Sequence, residues 1–170
     1  MLDALVRWRH SHGFGVHSPS AFRLIREVIN PPSLYAYYAY ADIEAIASDR
    51  RQGELLRLIF RLMLDFRPRT IALLGDDEPI RRTIKFAHPS AAIVKVAENP
   101  EFIIVSPGAT LSADSIDLES HPAILFCRIS RPQLSQITSK MTAGHIFSSP
   151  TRALLLPNPS LPLQHFPLNL

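Results

Sequence analysis

The stretch Thr-Ile-Ala-Leu-Leu-Gly-Asp-Asp-Glu-Pro at residues 70–79 decides the fold class of this chain. It begins with a short, mostly apolar run, which is typical of a strand that is covered on both faces. The glycine permits a sharp turn, and the acidic residues with the proline are typical of the first turn of a helix. A strand that leads through a glycine into a helix predicts a βαβ unit, and therefore an α/β fold.

Helices and strands continue to alternate after this stretch. Helices are predicted near residues 79–87 and 132–141. Continuous apolar runs predict further strands at residues 92–97, 102–105 and 123–129. Apolar strands separated by helices indicate a mostly parallel sheet with both faces buried.

The last part of the chain has three apolar runs with little helix between them, at residues 145–149, 153–156 and 164–170. Pro157, Asn158, Pro159 and Pro162 predict a turn before the last run, because proline and asparagine favour turn conformations. We therefore expect the last strands to form an antiparallel C-terminal hairpin.

Residues 1–67 have helical patterns instead and predict a helical N-terminal cap in front of the sheet. Ser18 followed by Pro19 marks a helix start, because serine caps a helix and proline fits its first position. A longer helix is predicted at residues 52–66, where apolar side chains recur along one side. The predicted organisation is this cap followed by an α/β core at residues 68–170, together forming one compact unit.

Composition excludes several classes of protein. Of the 170 residues, 46% are hydrophobic types and 19% are charged, which argues against a disordered chain. The formal net charge of +3 is too small to indicate nucleic-acid binding. No apolar run approaches the roughly 18 residues that a membrane span needs. The beginning of the sequence shows no signal-peptide pattern, so a cytoplasmic location is expected.

Two segments carry a resemblance to a known family. Residues 12–19 read His-Gly-Phe-Gly-Val-His-Ser-Pro, and a Tyr-Tyr pair follows at residues 37–38. This pattern resembles the N-terminal signature of a group of bacterial class I S-adenosylmethionine-dependent methyltransferases, and residues 161–168 are similar to the closing strand of that group. The resemblance implies a Rossmann-like, class I methyltransferase-type sheet that is mostly parallel, with an antiparallel C-terminal hairpin and a helical cap.

The resemblance also implies a place for S-adenosylmethionine. In the family the cofactor lies over a glycine-rich loop after the first strand, and an acidic residue after the second strand binds its ribose. Gly75, Asp76 and Glu98 stand at these positions and are the candidate cofactor-binding residues. However, the loop keeps one glycine, and Leu74 stands where the family has glutamate. The acidic residues after Gly75 are also explained by helix capping, and Glu98 by an ordinary strand end.

The rest of the expected site departs from the family pattern. Residues 99–101 alone separate two predicted strands, too few for a parallel crossover, which predicts that a βα unit is missing. Ser106, Cys127 and Arg128 stand where acidic residues are expected, so neither a metal site nor a general base is predicted and no catalytic residue is assigned. Cys127 is interpreted as a buried strand residue rather than a nucleophile. The histidines at positions 10, 12 and 17 are interpreted as packing residues of a loop rather than metal ligands.

These observations favour one function and leave a second open. The first is a degenerate methyltransferase-like protein, a pseudoenzyme that acts as a structural or interaction protein. The alternative is an active S-adenosylmethionine-dependent methyltransferase on a small molecule. A sheet that has lost a unit exposes an edge, so we expect self-association or a protein partner beside residues 92–105. No nucleic acid, membrane or metal is expected as a partner.

Overall fold

The computed structural model describes residues 2–31, 39–112 and 122–170. Its helices are α1 (Leu2–Ser11), α2 (Pro19–Arg23), α3 (Tyr40–Ile46), α4 (Arg50–Phe66), α5 (Glu78–Ala87) and α6 (Arg131–Thr138). A π-helical segment, Leu24–Ile29, continues α2, and a 3-10 turn spans Val96–Glu98. The strands are β1 (Thr70–Leu74), β2 (Ala92–Val94), β3 (Phe102–Val105), β4 (Ala123–Phe126), β5 (Ala143–Ser148), β6 (Ala153–Pro162) and β7 (Gln164–Pro167). The tyrosine pair at residues 37–38 lies outside the described residues.

The strands form one seven-stranded mixed sheet in the order β2-β1-β3-β4-β6-β5-β7. β2, β1, β3 and β4 pair in parallel. β6 pairs antiparallel with both β4 and β5, and β7 pairs in parallel with β5. The prediction of an α/β fold with a mostly parallel sheet is therefore confirmed.

The C-terminal hairpin is present, but its strands differ from those predicted. The antiparallel pair is β5 and β6, whereas β7 lies on the far side of β5 and runs parallel to it. Residues 157–162, predicted as a turn, belong to β6. β4 pairs only with Ala153–Leu155, so the part of β6 beyond Leu155 has no hydrogen bonds to β4. Prolines, which have no main-chain N–H to donate, are therefore tolerated there.

Gly144 allows β6 to bend around the beginning of β5. It has φ +104° and lies at a register shift between the two strands. A Cβ atom at this position would lie 2.2 Å from the carbonyl oxygen of Leu156. Only glycine fits so close to another backbone, and the bend brings the chain to the outer side of β5, where β7 forms.

The connection from β2 to β3 is longer than predicted, because the predicted end of β2 was wrong. β2 ends at Val94, beside Ala72, and β3 begins at Phe102, beside Ile71. β2 ends three residues earlier than predicted, which leaves residues 95–101 for the connection. These residues are enough to cross from β2 to β3, because the chain moves back by only one register position along the sheet. A parallel arrangement is therefore built without a helix in this connection.

Helices cover the sheet on both faces. On one face, Ile71, Phe102 and Ile104 pack with buried side chains of α2, α4 and α5. On the other face, Ile103 and Val105 join a second core that includes α6. Alternate residues of each strand thus enter different cores, as expected for a parallel sheet.

Polar contacts tie the cap to the sheet, and two of them involve serine side chains of the cap. Ser18 caps α2 as predicted, and its Oγ atom lies 3.3 Å from Nε2 of His145 in β5. The main-chain N–H of Asn169 donates to Oγ of Ser11 at the end of α1, with an N–O distance of 2.9 Å. α1 therefore rests against the last strand of the sheet.

The edges of the sheet are β2 and β7. β3 is an interior strand, so the expected edge at residues 92–105 is reduced to Ala92–Val94. The main-chain N–H of Ala92 donates to the oxygen of Arg69, which leaves the N–H of Ile93 facing outward because neighbouring residues of a strand alternate. Across the parts of the chain that the structure describes, no helix is both long and apolar enough to cross a membrane.

Candidate functional site

The candidate site lies at the carboxyl ends of β1 and β3. The chain leaves β1 toward β2 on one side, and β3 lies on the other side of β1. In open α/β sheets, ligands bind where the strand order reverses in this way. Gly75 follows β1 and Ser106 follows β3, so both residues lie at this crevice.

Gly75 is in close contact with the loop that follows β3. It has φ +87°, and a Cβ atom on it would lie 3.1 Å from Cβ of Ser106 and 3.2 Å from Cβ of Ala109. The side of Gly75 on which a Cβ atom would lie is therefore occupied by the protein itself, while the residue as a whole is exposed to solvent. Both the positive φ and this packing require glycine here.

The carboxylates after Gly75 have different environments. The side chain of Asp76 is 96% exposed, and its nearest cationic partner is Arg81 at 3.9 Å. Asp77 caps α5, because its Oδ1 atom accepts the N–H of Ile80 at 3.1 Å. Helix capping therefore explains Asp77, and Asp76 points into solvent.

Glu98 lies in the 3-10 turn after β2, where its carboxylate closes that turn. Its Oε1 atom accepts the main-chain N–H of Lys95 at 3.0 Å. The next residue, Asn99, has φ +51°, which ends the turn and starts the connection to β3. The residue predicted to bind the ribose is thus exposed and bonded to its own turn.

The three candidate cofactor residues do not line a common cavity that would hold S-adenosylmethionine. Gly75 is exposed but packs on one side against the loop after β3, and Glu98 is bonded to the main-chain N–H of Lys95. The neighbouring cavity of about 430 Å³ is lined by Asp77 and Pro107, but by none of the three candidate cofactor residues. No step of methyl transfer is therefore derived from this site.

The polar groups of this cavity serve the fold. Asp49 caps α4, since its Oδ1 atom accepts the N–H of Gln52 at 2.8 Å. The guanidinium of Arg152 donates to the main-chain oxygens of Leu170 and Arg51 at 3.2 and 3.1 Å. These interactions leave no carboxylate pair or base arranged around a substrate position among the described lining residues.

Cys127 lies at the same cavity, directly after β4, and is buried as predicted. Burial, with a smaller contribution from the negative charge of Asp77, raises the pKa of its thiol to about 12. The thiol is therefore protonated at neutral pH, and a protonated thiol is a poor nucleophile. Ser106 is also buried, with 2% of its surface exposed, and its hydroxyl has no hydrogen-bond partner among the described residues.

The N-terminal histidines lie in separate surroundings. Nδ1 of His12 donates to the carbonyl oxygen of Trp8 at 2.7 Å. His10 packs edge-on against Phe166 of β7, with 6.3 Å between the ring centroids. Within the described ranges, no group of three or more histidine, cysteine, aspartate or glutamate residues is arranged to hold a metal ion.

A cluster of arginines was missed from the sequence. Arg26, Arg57, Arg61 and Arg152 line one cavity of about 660 Å³, although they are spread over most of the chain. Helical spacing would have placed Arg57 and Arg61 on one face of α4, because residues four apart lie on the same side. The sequence carried no signal for the other two.

The chain was compared with protein-family models, curated proteins and solved structures. No family model, no curated protein and no solved structure matches it. The resemblance to class I methyltransferases therefore rests on the quoted sequence motifs, and a function has to be argued from the geometry of the described residues.

Proposed function

We propose that this chain is a methyltransferase-like α/β protein that does not transfer methyl groups and that acts as a structural or interaction protein. The observation that carries the proposal is the contact of Gly75 with Ser106 and Ala109. This contact occupies one side of the single glycine in the loop after β1, and so restricts the approach of a nucleotide-type cofactor to the exposed side of that residue.

Opening the occupied side of Gly75 has a cost. The loops after β1 and β3 would have to separate, and the contact of Gly75 with Cβ atoms of Ser106 and Ala109 would be lost. Ser106 is buried and Ala109 is partly buried, so displacement of their loop loses dispersion energy. A cofactor would have to supply this energy in addition to the entropy lost on binding.

The chemistry of the neighbouring cavity supports the same conclusion. Methyl transfer depends on holding the acceptor in line with the methyl donor, and commonly on a base for the acceptor proton. At this cavity Asp49 and Asp77 cap helices, and Cys127 is a buried, protonated thiol. Each group that is able to act as a base has a role in holding the fold.

The cap and the sheet are joined by hydrogen bonds and packed side chains. The cap serine, Ser18, is bonded to His145 of β5, and helices cover both faces of the sheet. Positions that carry the family resemblance thus have structural roles that do not require catalysis. This combination is what we expect of a protein that kept a fold after losing its reaction.

Titration calorimetry with S-adenosylmethionine and S-adenosylhomocysteine tests the proposal. We expect no saturable heat up to about 1 mM ligand, which corresponds to binding weaker than about 4 kcal/mol. Micromolar binding that is abolished by Glu98→Ala, and retained in the matched control Glu27→Ala, would establish the cofactor site and overturn the proposal. Glu27 is a suitable control because it is an exposed acid on the cap.

For the partner we propose a second copy of the chain along the edge of β2. The outward N–H of Ile93 is a donor for strand pairing, although short edge strands limit such pairing. Sedimentation at about 1–100 μM should show association that Ile93→Pro weakens, because this change removes the outward donor and keeps the bond of Ala92 to Arg69. A monomer throughout this concentration range would contradict the proposed self-association. Thermal melting reports whether the variant is folded.

A further inference from the structure

The largest excess of positive charge among the described cavities lies between the cap, α4 and the end of the chain. This cavity of about 660 Å³, the arginine cavity, is lined by Arg26, Arg57, Arg61 and Arg152. Its size is in the range of small-molecule sites. It shares only Arg152 with the cavity at the carboxyl edge.

Arg61 is a buried cation at the wall of this cavity, with 8% of its surface exposed. Its guanidinium donates to the main-chain oxygens of Val28 and Ile29 and to the hydroxyl of Tyr40. These partners are neutral, and no carboxylate of the described residues forms an ion pair with it. Buried charges are normally paired, so an anion at this wall would complete an otherwise uncompensated group.

The other charges of the lining do not neutralise Arg61. Arg57 is paired with Glu44 outside the lining, and Glu54, the one acidic side chain among the described lining residues, bonds to Nε of Arg50 at 3.0 Å. Arg26 has neither a hydrogen bond nor an ion pair to any described residue. Three guanidinium groups of the cavity, those of Arg26, Arg61 and Arg152, therefore lack a side-chain carboxylate partner among the described residues.

A neutral donor points to the same kind of ligand. The side-chain amide nitrogen of Asn30 lines the cavity, is buried and has no acceptor among the described residues. Asn30 and Arg26 thus supply side-chain donors without acceptors in the same cavity as the uncompensated charge of Arg61. In the sequence, residues 32–38 contain neither aspartate nor glutamate, so this adjoining segment supplies no carboxylate.

We propose that the arginine cavity binds a small molecule through a phosphate monoester group. A phosphate monoester at neutral pH carries nearly two negative charges, which offset part of the positive charge of Arg26, Arg61 and Arg152, and its oxygens accept hydrogen bonds. Arginine binds phosphate with two parallel N–H bonds, and Arg61 is already fixed in position by three bonds to the protein. The remaining volume accommodates the organic part of the ligand.

Calorimetry with inorganic phosphate tests this site at about 150 mM salt, where weak surface attraction is screened. We expect saturable binding with a dissociation constant below about 1 mM. Arg26→Gln should weaken it at least about tenfold, since a charge-assisted bond is lost. Arg82→Gln is the matched control: Arg82 is exposed on α5, and its loss should change the affinity less than about twofold.

Three outcomes would overturn the proposal. The first is the absence of saturable phosphate binding up to about 10 mM. The second is an equal loss in Arg26→Gln and Arg82→Gln, which would indicate general attraction to a basic protein. The third is citrate binding as tightly as phosphate at equal ionic strength, which would exclude a phosphate-specific site. Arg26 is used because it makes no structural bond, so its variant should stay folded.

Discussion

The carboxyl edge of the sheet and the arginine cavity differ in how their polar groups are satisfied. At the carboxyl edge, Asp77 and Glu98 are bonded to main-chain N–H groups of neighbouring residues. In the arginine cavity, the buried amide nitrogen of Asn30 and the half-buried guanidinium of Arg26 offer donors that no described residue accepts. Native proteins pair almost all buried polar groups. At the place where ligands usually bind, the capping carboxylates therefore serve the fold and the Ser106 hydroxyl is left without a partner among the described residues, whereas the cavity outside that place holds unpaired donors beside buried positive charge.

Replacement of Arg61 should lower the free energy of unfolding more than the other replacements that test this comparison. Arg61→Met leaves the main-chain oxygens of Val28 and Ile29 without their donor, and should lower the free energy of unfolding by about 3 kcal/mol. Urea denaturation measures this value. Arg57→Met is the control, because its partly exposed pair with Glu44 is worth less than about 1 kcal/mol. Equal losses in both variants would mean that Arg61 is not a special buried group.

Two glycine variants test how tightly Gly75 packs against the loop after β3. Gly75→Ala should cost about 2 kcal/mol, because the new Cβ meets Ser106 and Ala109 in addition to the strain of a positive φ. Gly108→Ala, also at a positive φ but with no atom within 4 Å, should cost about 1 kcal/mol. Chemical denaturation compares them, and equal costs would show that Gly75 does not pack tightly against that loop.

In the acidic turn after β1, we expect a smaller difference in stability between variants of two neighbouring aspartates. Asp77→Ala removes the cap of α5 and should lower stability by about 1 kcal/mol. Asp76→Ala should change it by less than about 0.5 kcal/mol, since the side chain is exposed to solvent. Thermal melting of both variants checks the prediction, and a larger loss for Asp76→Ala would point to a role that the geometry does not give it.

Acid should destabilise the contact between cap and sheet by the smallest amount. Burial lowers the pKa of His145 and of His165, and the nearby His10 adds to the effect on His165. Below the unfolded-state pKa of about 6.5, the unfolded chain then binds protons that the folded chain does not, so stability falls as the pH decreases. The free energy of unfolding, measured from about pH 8 to about pH 5, should fall less steeply in His145→Gln. An unchanged slope would contradict this assignment.

Local signals predicted much of the fold. β1 and β3 have the predicted bounds, α5 begins within one residue of its prediction, and Ser18 caps α2. These elements are set by apolar runs and capping residues, which are properties of short stretches. The error at β6 arose because prolines were interpreted as a turn, although a half-paired strand accepts them.

The candidate site was less predictable. The positions of Gly75 and Glu98 at strand ends followed from the sequence, but the contact of Gly75 with Ser106 depends on two loops that meet only in the folded sheet. The arginine cavity depends on the packing of the cap against α4 and the end of the chain. Neither arrangement has a local pattern, because both are made by contacts between distant parts of the sequence.

The hydrogen bond between Ser11 and Asn169 also constrains the order in which the molecule assembles. It joins residues 158 positions apart, and such closures are entropically costly until intervening structure has brought the ends together. β7 needs β5 as its partner, and its approach is set by the bend of β6 at Gly144. The surface that receives α1 is thus complete only after these strands have paired. α1 should dock last and detach first, with its amide hydrogens exchanging before those of the central strands.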